Sequence, residues 1–440
     1  MSGLETTPAP ADSTPAAPRR HAARRRSAKS SHGNGTGNGS RSGAGKGNRS
    51  GRSSVIARLR TAFLAAWPAL ALYAFVRFVG TAFVAWRAGD DGPGLGKLLA
   101  TRFDTVYYVH IAEAGYAAPL AEKCTVQGEL CKYAFFPVYP GLVRGFSAVT
   151  PFSTEIVAWG VSVLSSLVAA WGIFAVAKHL HDRRTALFAV VLWGIVPHAM
   201  VQSMAYTEPL FTALAAWALY AVLKQHWLTA GLLASLTGLT RPSGSAVVAA
   251  VALCAAWALF ATFRKRQKEA PPGAGRGRLL AAILIAPVGW FAWFGWVGYR
   301  AGRWDGYFQL QERWGSTFDG GSFTMGRIVD TFTKMPTNLN AVVATFTVLG
   351  ALLLFVICLL ERQHAAPLIY AALLLLIAVG GAGYFHSKAR FLLPAFPLLF
   401  PLAKAFATAR PRVAYAVVTA AVVVSSAYGG YLMLVWKYSP

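Results

Sequence analysis

Eleven apolar stretches, at 61–86, 155–178, 185–203, 208–224, 227–240, 243–263, 279–299, 341–360, 366–383, 391–408 and 413–436, decide most of what this chain can become. About 20 apolar residues suffice for a helix to cross a bilayer. Inside lipid every backbone N–H and C=O must be satisfied without water, which leaves the helix as the local solution. The expectation is an all-α polytopic membrane protein with about 11 transmembrane helices. Two stretches are short: 227–240 is interrupted at Thr240-Arg241-Pro242, and 208–224 opens on Glu208-Pro209, so both read as tilted or partly re-entrant.

Charge then sets the orientation. The chain carries 42 Lys+Arg against 17 Asp+Glu. On a soluble protein that surplus points to nucleic acid, but here it lies in an N-terminal tail and in short loops between apolar runs, as topology signals do. No nucleic-acid partner is expected. Residues 1–54 hold almost no large apolar side chains and are expected to be disordered; residues 55–440 form the membrane domain. Arg19, Arg20, Arg24, Arg25, Arg26 and Lys29 of the tail either meet anionic lipid headgroups or simply fix orientation. The tail is too long and arginine-rich for a signal peptide and no small-residue cleavage site follows the first span, so that span is expected to remain attached. With the tail cytoplasmic, alternation puts Lys178–Arg184, Lys224-Gln225-His226, the Arg264–Arg278 loop, Glu361-Arg362 and Arg410–Arg412 on the same side, as the positive-inside rule asks. The C-terminus then lies outside.

The opposite, extracytoplasmic face collects the polar residues that topology does not explain. It receives the large first loop 87–154, expected to hold interfacial helices, the 202–209 and 240–244 segments, a second large loop 300–340, and 383–391. Glu208, Arg241 and Arg390 abut apolar helices there, where an unpaired charge at depth costs about 2.5–3.5 kcal/mol. In the first loop, helical spacing puts Asp104, Tyr107, Tyr108, Ile111 and Gly115 on one stripe, an acid opening an aromatic face. Asp104 is either a helix N-cap or a catalytic carboxylate, and Glu208 divides the same way. Arg241, Lys388 and Arg390 are either snorkelling anchors or cations for an anionic phosphate. The Phe135–Arg144 segment is an interfacial anchor or a wall beside a lipid substrate. No Gly-rich phosphate cradle and no metal-spaced His or Cys cluster occurs in the sequence, so no metal site is expected and nucleotide-driven transport is disfavoured.

Several of these pieces resemble a family. Arg102-Phe103-Asp104-Thr105 through Tyr108, followed by Ile111-Ala112-Glu113-Ala114-Gly115-Tyr116, resembles the signature R-W-D-S-x-W-Y-x-x-I-A-E-x-G-Y of the PIG-V-like mannosyltransferases, which include the second mannosyltransferase of glycosylphosphatidylinositol assembly and bacterial relatives. Phe135–Pro140 is similar to that family's F-F-P-L-Y-P, Tyr206-Thr207-Glu208 to Y-T-E-S, Leu239–Gly244 to T-R-P-T-G, and Arg390–Pro397 to R-Y-x-L-P-x-F-P. The likeness runs in order over about residues 60–437. Phe103 stands where the pattern has Trp, Val106 where it has a second aromatic, and Pro209 where it commonly has Ser.

The resemblance implies a GT-C membrane glycosyltransferase taking mannose from a polyprenyl-phosphate-mannose donor on the outer face, with no further cofactor and usually no essential metal. In an inverting transfer a carboxylate takes the acceptor's proton while lipid phosphate leaves from the other face of the sugar. Asp104 is the expected base. Arg241, Lys388 and Arg390, helped by His386, are expected at the donor phosphate, and Tyr107, Tyr108, Tyr206 and Glu208 at the substrates. Arg303, Trp304, Trp314 and Gly315 are expected to cover the site. The acceptor is left as lipid, glycan or protein, and membrane lipids complete the partners. Arabinosyl or protein O-mannosyl transfer, and a lipid flippase or transporter, are the competing readings; no internal repeat favours the last.

Cys124 and Cys131 lie close together in the first outer loop, facing an oxidising compartment on this topology, and are the disulfide candidate. Thiol labelling that rises on reduction is the expected outcome; labelling that reduction leaves unchanged removes the pairing.

Overall fold

A computed structural model describes residues 49–89, 94–116, 129–264, 275–335 and 337–440. Residues 1–56 and 57–440 group as two units, and the site lies wholly within the second. Helix α1 (Arg49–Ala88) is followed by α2 (Leu95–Ala100), α3 (Thr105–Ala114), a 3-10 turn at Glu129–Ala134 and α4 (Val138–Ser147). Next come α5 (Thr154–Leu180), α6 (Arg183–Ile195), a 3-10 turn at Ala199–Ser203, α7 (Glu208–Leu223), α8 (Trp227–Gly238), α9 (Gly244–Arg264), α10 (Arg276–Ile285) and α11 (Val288–Ala301). The 300–340 segment folds into α12 (Gly306–Arg313), β1 (Thr317–Phe318) and α13 (Ser322–Thr333). The chain closes with α14 (Leu339–Leu360), α15 (Ala365–Gly380), β2 (Gly381–Ala382), α16 (Lys388–Phe391), α17 (Phe400–Thr408) and α18 (Pro411–Leu434).

The protein is an all-α, multi-pass membrane bundle. Among the described residues six helices are long and apolar enough to cross: α1 from Arg60, α5, α9, α10 with α11, α14 and α18. The pair Phe385–Phe391 and Phe396–Thr408, bent by 77°, makes a seventh if counted as one span. The remaining candidates, α6 (13 residues), α7 (16), α8 (12) and α15 (16), fall short, since even 16 residues rise only about 24 Å at 1.5 Å each. By length and composition alone six or seven of the described helices qualify, so the expected figure of eleven is not confirmed. The cause is local: α6 stops ahead of Pro197, α8 ahead of Pro242, and α15 runs into the extended Gly381. Proline lacks an N–H and pushes its predecessor out of the helical region.

Helix α5 forms the centre. In its most apolar window 56% of residues are buried by protein, against 28–33% in the other five spans, whose faces are left for lipid. It packs on α7, most closely where Gly172 of α5 meets Ala216 and Trp217 of α7. Close approach of this kind is how helices associate where no hydrophobic gain separates protein from lipid. At Gly172 a Cβ would come 2.8 Å from the Ala216 Cβ.

Breaks in helices release backbone groups, and buried side chains take them up. The Trp193 indole donates to the Leu393 carbonyl (3.0 Å) and the Tyr370 hydroxyl to that of Pro394 (3.0 Å), at the bend between α16 and α17. Where α6 ends, Arg77 of α1 donates to the Gly194 carbonyl (2.7 Å) and the Ser203 hydroxyl (3.3 Å), while Tyr73 holds Gln202 (2.9 Å). An arginine inside the first span, which hydropathy passes over, is thus a structural clamp. Cys131 is disulfide-bonded; Cys124 lies outside the described residues; Cys254 and Cys358 are free.

Replacing Gly172 by Leu is expected to force α5 and α7 apart at a cost of about 1–3 kcal/mol, read as a lower Tm in detergent than for Gly172→Ala. Identical Tm values for the two variants would show that the contact tolerates expansion.

Candidate active site

Four charged side chains from four separate parts of the chain meet at one place. The Arg390 Nη1 atom lies 2.7 Å from Asp104 Oδ2, and its Nε lies 3.5 Å from Glu208 Oε1. Arg241 Nη1 reaches the same Glu208 oxygen at 2.6 Å. Asp104 precedes α3, Glu208 opens α7, Arg241 joins α8 to α9, and Arg390 lies in α16. The two acids and two arginines balance formally.

Local backbone brings each of them there. Phe103 adopts a left-handed conformation (φ 59°), costly for a residue with a bulky side chain, and turns the chain into α3. Asp104 occupies the N-cap position yet has helical φ/ψ and makes no capping hydrogen bond, so its carboxylate is used elsewhere. Thr207, ahead of α7, makes no side-chain cap either, and Pro209 sits within the first turn where its missing N–H costs nothing. Glu208 there benefits from the helix dipole.

Exposure rises across the cluster: side chains are 1% exposed at Glu208, 8% at Arg390, 15% at Arg241 and 25% at Asp104. Asp104 is therefore the end an arriving molecule meets. A second layer of hydroxyls fixes the charges. Tyr206, fully buried, accepts from the Asp104 N–H (3.3 Å) and shares a hydrogen bond with Ser439 (3.0 Å). Arg241 donates to Thr207 Oγ1 (3.0 Å), which also bonds with the Tyr108 hydroxyl (3.2 Å). Arg390 donates to Ser439 Oγ (3.0 Å) and lies 5.3 Å from the Tyr206 ring centroid. Burial first, and the Asp104 carboxylate second, raise the hydroxyl pKa values of Tyr107, Tyr206 and Tyr384, so these groups stay protonated near neutral pH.

The other expected residues are distributed unevenly. Tyr107 stacks on Phe135 (4.6 Å, 13°) with Trp314 at its edge (5.7 Å), and Tyr108 packs edge-on against Phe135 and Tyr139. His386 lies among the rings of Tyr384, Trp436 and Tyr438. Lys388 is elsewhere: its Nζ donates to the carbonyls of Ala378 and Gly381 (2.6 Å each), closing the end of α15. Of the four covering residues, Trp314 touches Tyr107 and Phe135, whereas Arg303 pairs with Asp305 and Trp304 is 90% exposed. The 300–340 segment is spliced to the site by β1 and β2, which pair antiparallel with Thr317 opposite Ala382. Gly383 (φ 81°) faces the Gly315 carbonyl so closely that a Cβ would lie 2.1 Å from its oxygen. The Tyr384 hydroxyl donates to the Trp314 carbonyl.

Sequence reading missed Ser439 and Tyr384, and gave Arg102 no role. Arg102 donates to the carbonyls of Met433 and, at 3.5 Å, Trp436. Its place two residues before Asp104 was a usable signal; a lone serine after the last span carries none. Among the described residues, no group of three or more His, Cys, Asp or Glu side chains is arranged to hold a metal ion.

The pattern of the dolichyl-phosphate-mannose-protein mannosyltransferase family matches residues 136–291, less than half of the chain. Glu208 and Arg241 fall inside the match; Asp104 and Arg390 fall outside. A search of curated proteins finds no match. Among solved structures the chain is similar to ArnT from Cupriavidus metallidurans bound to undecaprenyl phosphate, with 14% identity and a TM-score of 0.48, covering 80% of this chain and 63% of that one. It is also similar to the oligosaccharyltransferase of Archaeoglobus fulgidus. The complex with zinc and sulfate gives 13% identity, a TM-score of 0.40 and 84% and 53% coverage; the apo form gives 14%, 0.45, and 82% and 56%. The chain thus spans 53–63% of the length of these structures.

The burial gradient separates two kinds of acid. Glu208→Ala removes the carboxylate shared by the buried Arg390 and the partly buried Arg241 and is expected to cost about 3–5 kcal/mol. Asp104→Asn, at the open end and keeping an amide oxygen that can accept from Arg390, is expected to cost less, about 1–2 kcal/mol. Thermal unfolding in detergent compares them, and equal shifts would mean that burial does not rank these carboxylates.

Proposed function

We propose that this chain is a membrane glycosyltransferase of the GT-C kind that moves mannose from a polyprenyl-phosphate-mannose donor to an acceptor hydroxyl at the extracytoplasmic face. The observation that carries the reading is Asp104: a carboxylate freed from capping, part-exposed, and oriented by an arginine that a buried acid also holds. The glycosyltransferase family match across 136–291 and the ordered motifs from Arg102 to Pro397 support it from the sequence side.

In the proposed reaction the acceptor oxygen attacks the anomeric carbon, its proton passes to Asp104, and the bond from that carbon to the phosphate oxygen breaks on the opposite face. The configuration inverts and the lipid phosphate leaves with the bonding electrons. Negative charge grows on the departing phosphate, so fixed cations lower the barrier. Arg390 and Arg241 take that role. Lys388, occupied by two carbonyls, is proposed to act at one remove, by holding the α15–α16 junction. Tyr107 keeps its proton and so can donate to a sugar hydroxyl, while the Tyr384 proton goes to the Trp314 carbonyl and the buried Tyr206 acts through Asp104 and Ser439. An apolar groove of ≈ 310 Å³, lined by Leu210, Ala213, Leu214 and Trp217 of α7 with Val161 and Leu164 of α5, starts two residues from Glu208 and suits the polyprenyl chain.

A protein hydroxyl as acceptor is the second reading, favoured by the kind of family whose pattern matches. Purified protein given labelled polyprenyl-phosphate-mannose and a membrane extract is expected to move label onto lipid, glycan or protein, and the labelled fraction names the acceptor. Asp104→Asn is expected to lower the rate by about 10²–10⁴-fold with insertion intact. Wild-type turnover by that variant excludes Asp104 as base, and reporters placing residues 104 and 390 on opposite sides of the membrane overturn the scheme.

A further inference from the structure

After α18 ends at Leu434 the chain continues as a strap, Val435–Pro440, that belongs to no helix. Besides its ties back to Tyr431 of α18, it is held by segments that build the charge cluster. Arg102 takes the Met433 and Trp436 carbonyls, His386 lies against the Trp436 and Tyr438 rings, and Ser387 Oγ donates to the Ser439 carbonyl at 3.3 Å. The Ser439 hydroxyl goes furthest, meeting both Arg390 Nη1 and Tyr206 Oη at 3.0 Å.

These contacts close a ring. Arg390 Nη1 has two hydrogens; one goes to Asp104 Oδ2 and the other to Ser439 Oγ. Ser439 in turn bonds with Tyr206, and Tyr206 accepts from the backbone N–H of Asp104 itself. The carboxylate and the backbone of one residue are thus held by a circuit that passes through the strap. Without the serine oxygen, a buried guanidinium hydrogen loses its acceptor, which is costly, and the group turns to find another.

We infer that Ser439 is a positioning residue for this site: it sets the rotation of Arg390 and, through Arg390 and Tyr206, the direction of the Asp104 carboxylate. The inference rests on the reading of the preceding section. Orientation that matters only as charge develops appears in kcat rather than KM.

The test uses the full chain. Ser439→Ala is expected to lower kcat for transfer from polyprenyl-phosphate-mannose about tenfold with KM for donor and acceptor unchanged, and Ser439→Thr, which keeps the hydroxyl, to return within twofold of wild type. A Ser439→Ala rate within twofold of wild type or above it, or a threonine variant as slow as alanine, overturns the inference while leaving the reaction standing. If the wild-type protein transfers no sugar, the reaction itself falls, and the ring is decided by stability. Tm shifts of Ser439→Ala and Tyr206→Phe that fail to add in the double variant support it, and additive shifts overturn it.

Discussion

Arg390 is the group on which the rest depends. A guanidinium only 8% exposed inside a membrane protein must be matched, and one carboxylate would leave several of its hydrogens without acceptors. It therefore draws on Asp104, Glu208, Ser439 and the face of Tyr206 at once. Those partners come from segments more than a hundred residues apart, so satisfying one cation assembles the whole site. The bend after α16 is part of the same arrangement: a straight helix through Pro394 is not available, and the carbonyls it releases are covered by Trp193 and Tyr370.

Much of this was legible from position alone. Glu208, Arg241 and Arg390 stood out because each abuts an apolar run where insertion gives no reason to keep a charge, and Asp104 because it heads an aromatic stripe; the four do converge. The same logic misplaced Lys388. An ammonium has no way of announcing from sequence that it will end a helix, and here two carbonyls at the close of α15 claim it. The expected count of eleven is not confirmed for a related reason. Hydropathy registers apolar length, whereas Pro197, Pro242 and the extended Gly381 decide where that length stops being helix. Ser439 was invisible, since a serine beyond the last span looks like any solvated terminus until the chain is seen running past Arg390.

The charge balance shapes what the site can recognise. Two acids and two arginines balance one another, so the cluster itself adds no net charge, unlike clefts lined by one sign of charge. On the proposed reading, recognition depends on fit, with the apolar groove along α7 and α5 for a lipid and Tyr107 for a polar head. Burial graded from Glu208 to Asp104 keeps the balanced core fixed while its outermost member meets solvent.

The two-stranded sheet among the described residues has a mechanical consequence. Thr317 and Phe318 are stitched to Gly381 and Ala382, and the backbone leaving that seam passes through Tyr384 and His386 to Arg390 within a few residues. Trp314, on the other side of the seam, rests on Tyr107. The ring on Tyr107 and the anchoring cation are therefore joined through one seam of four residues.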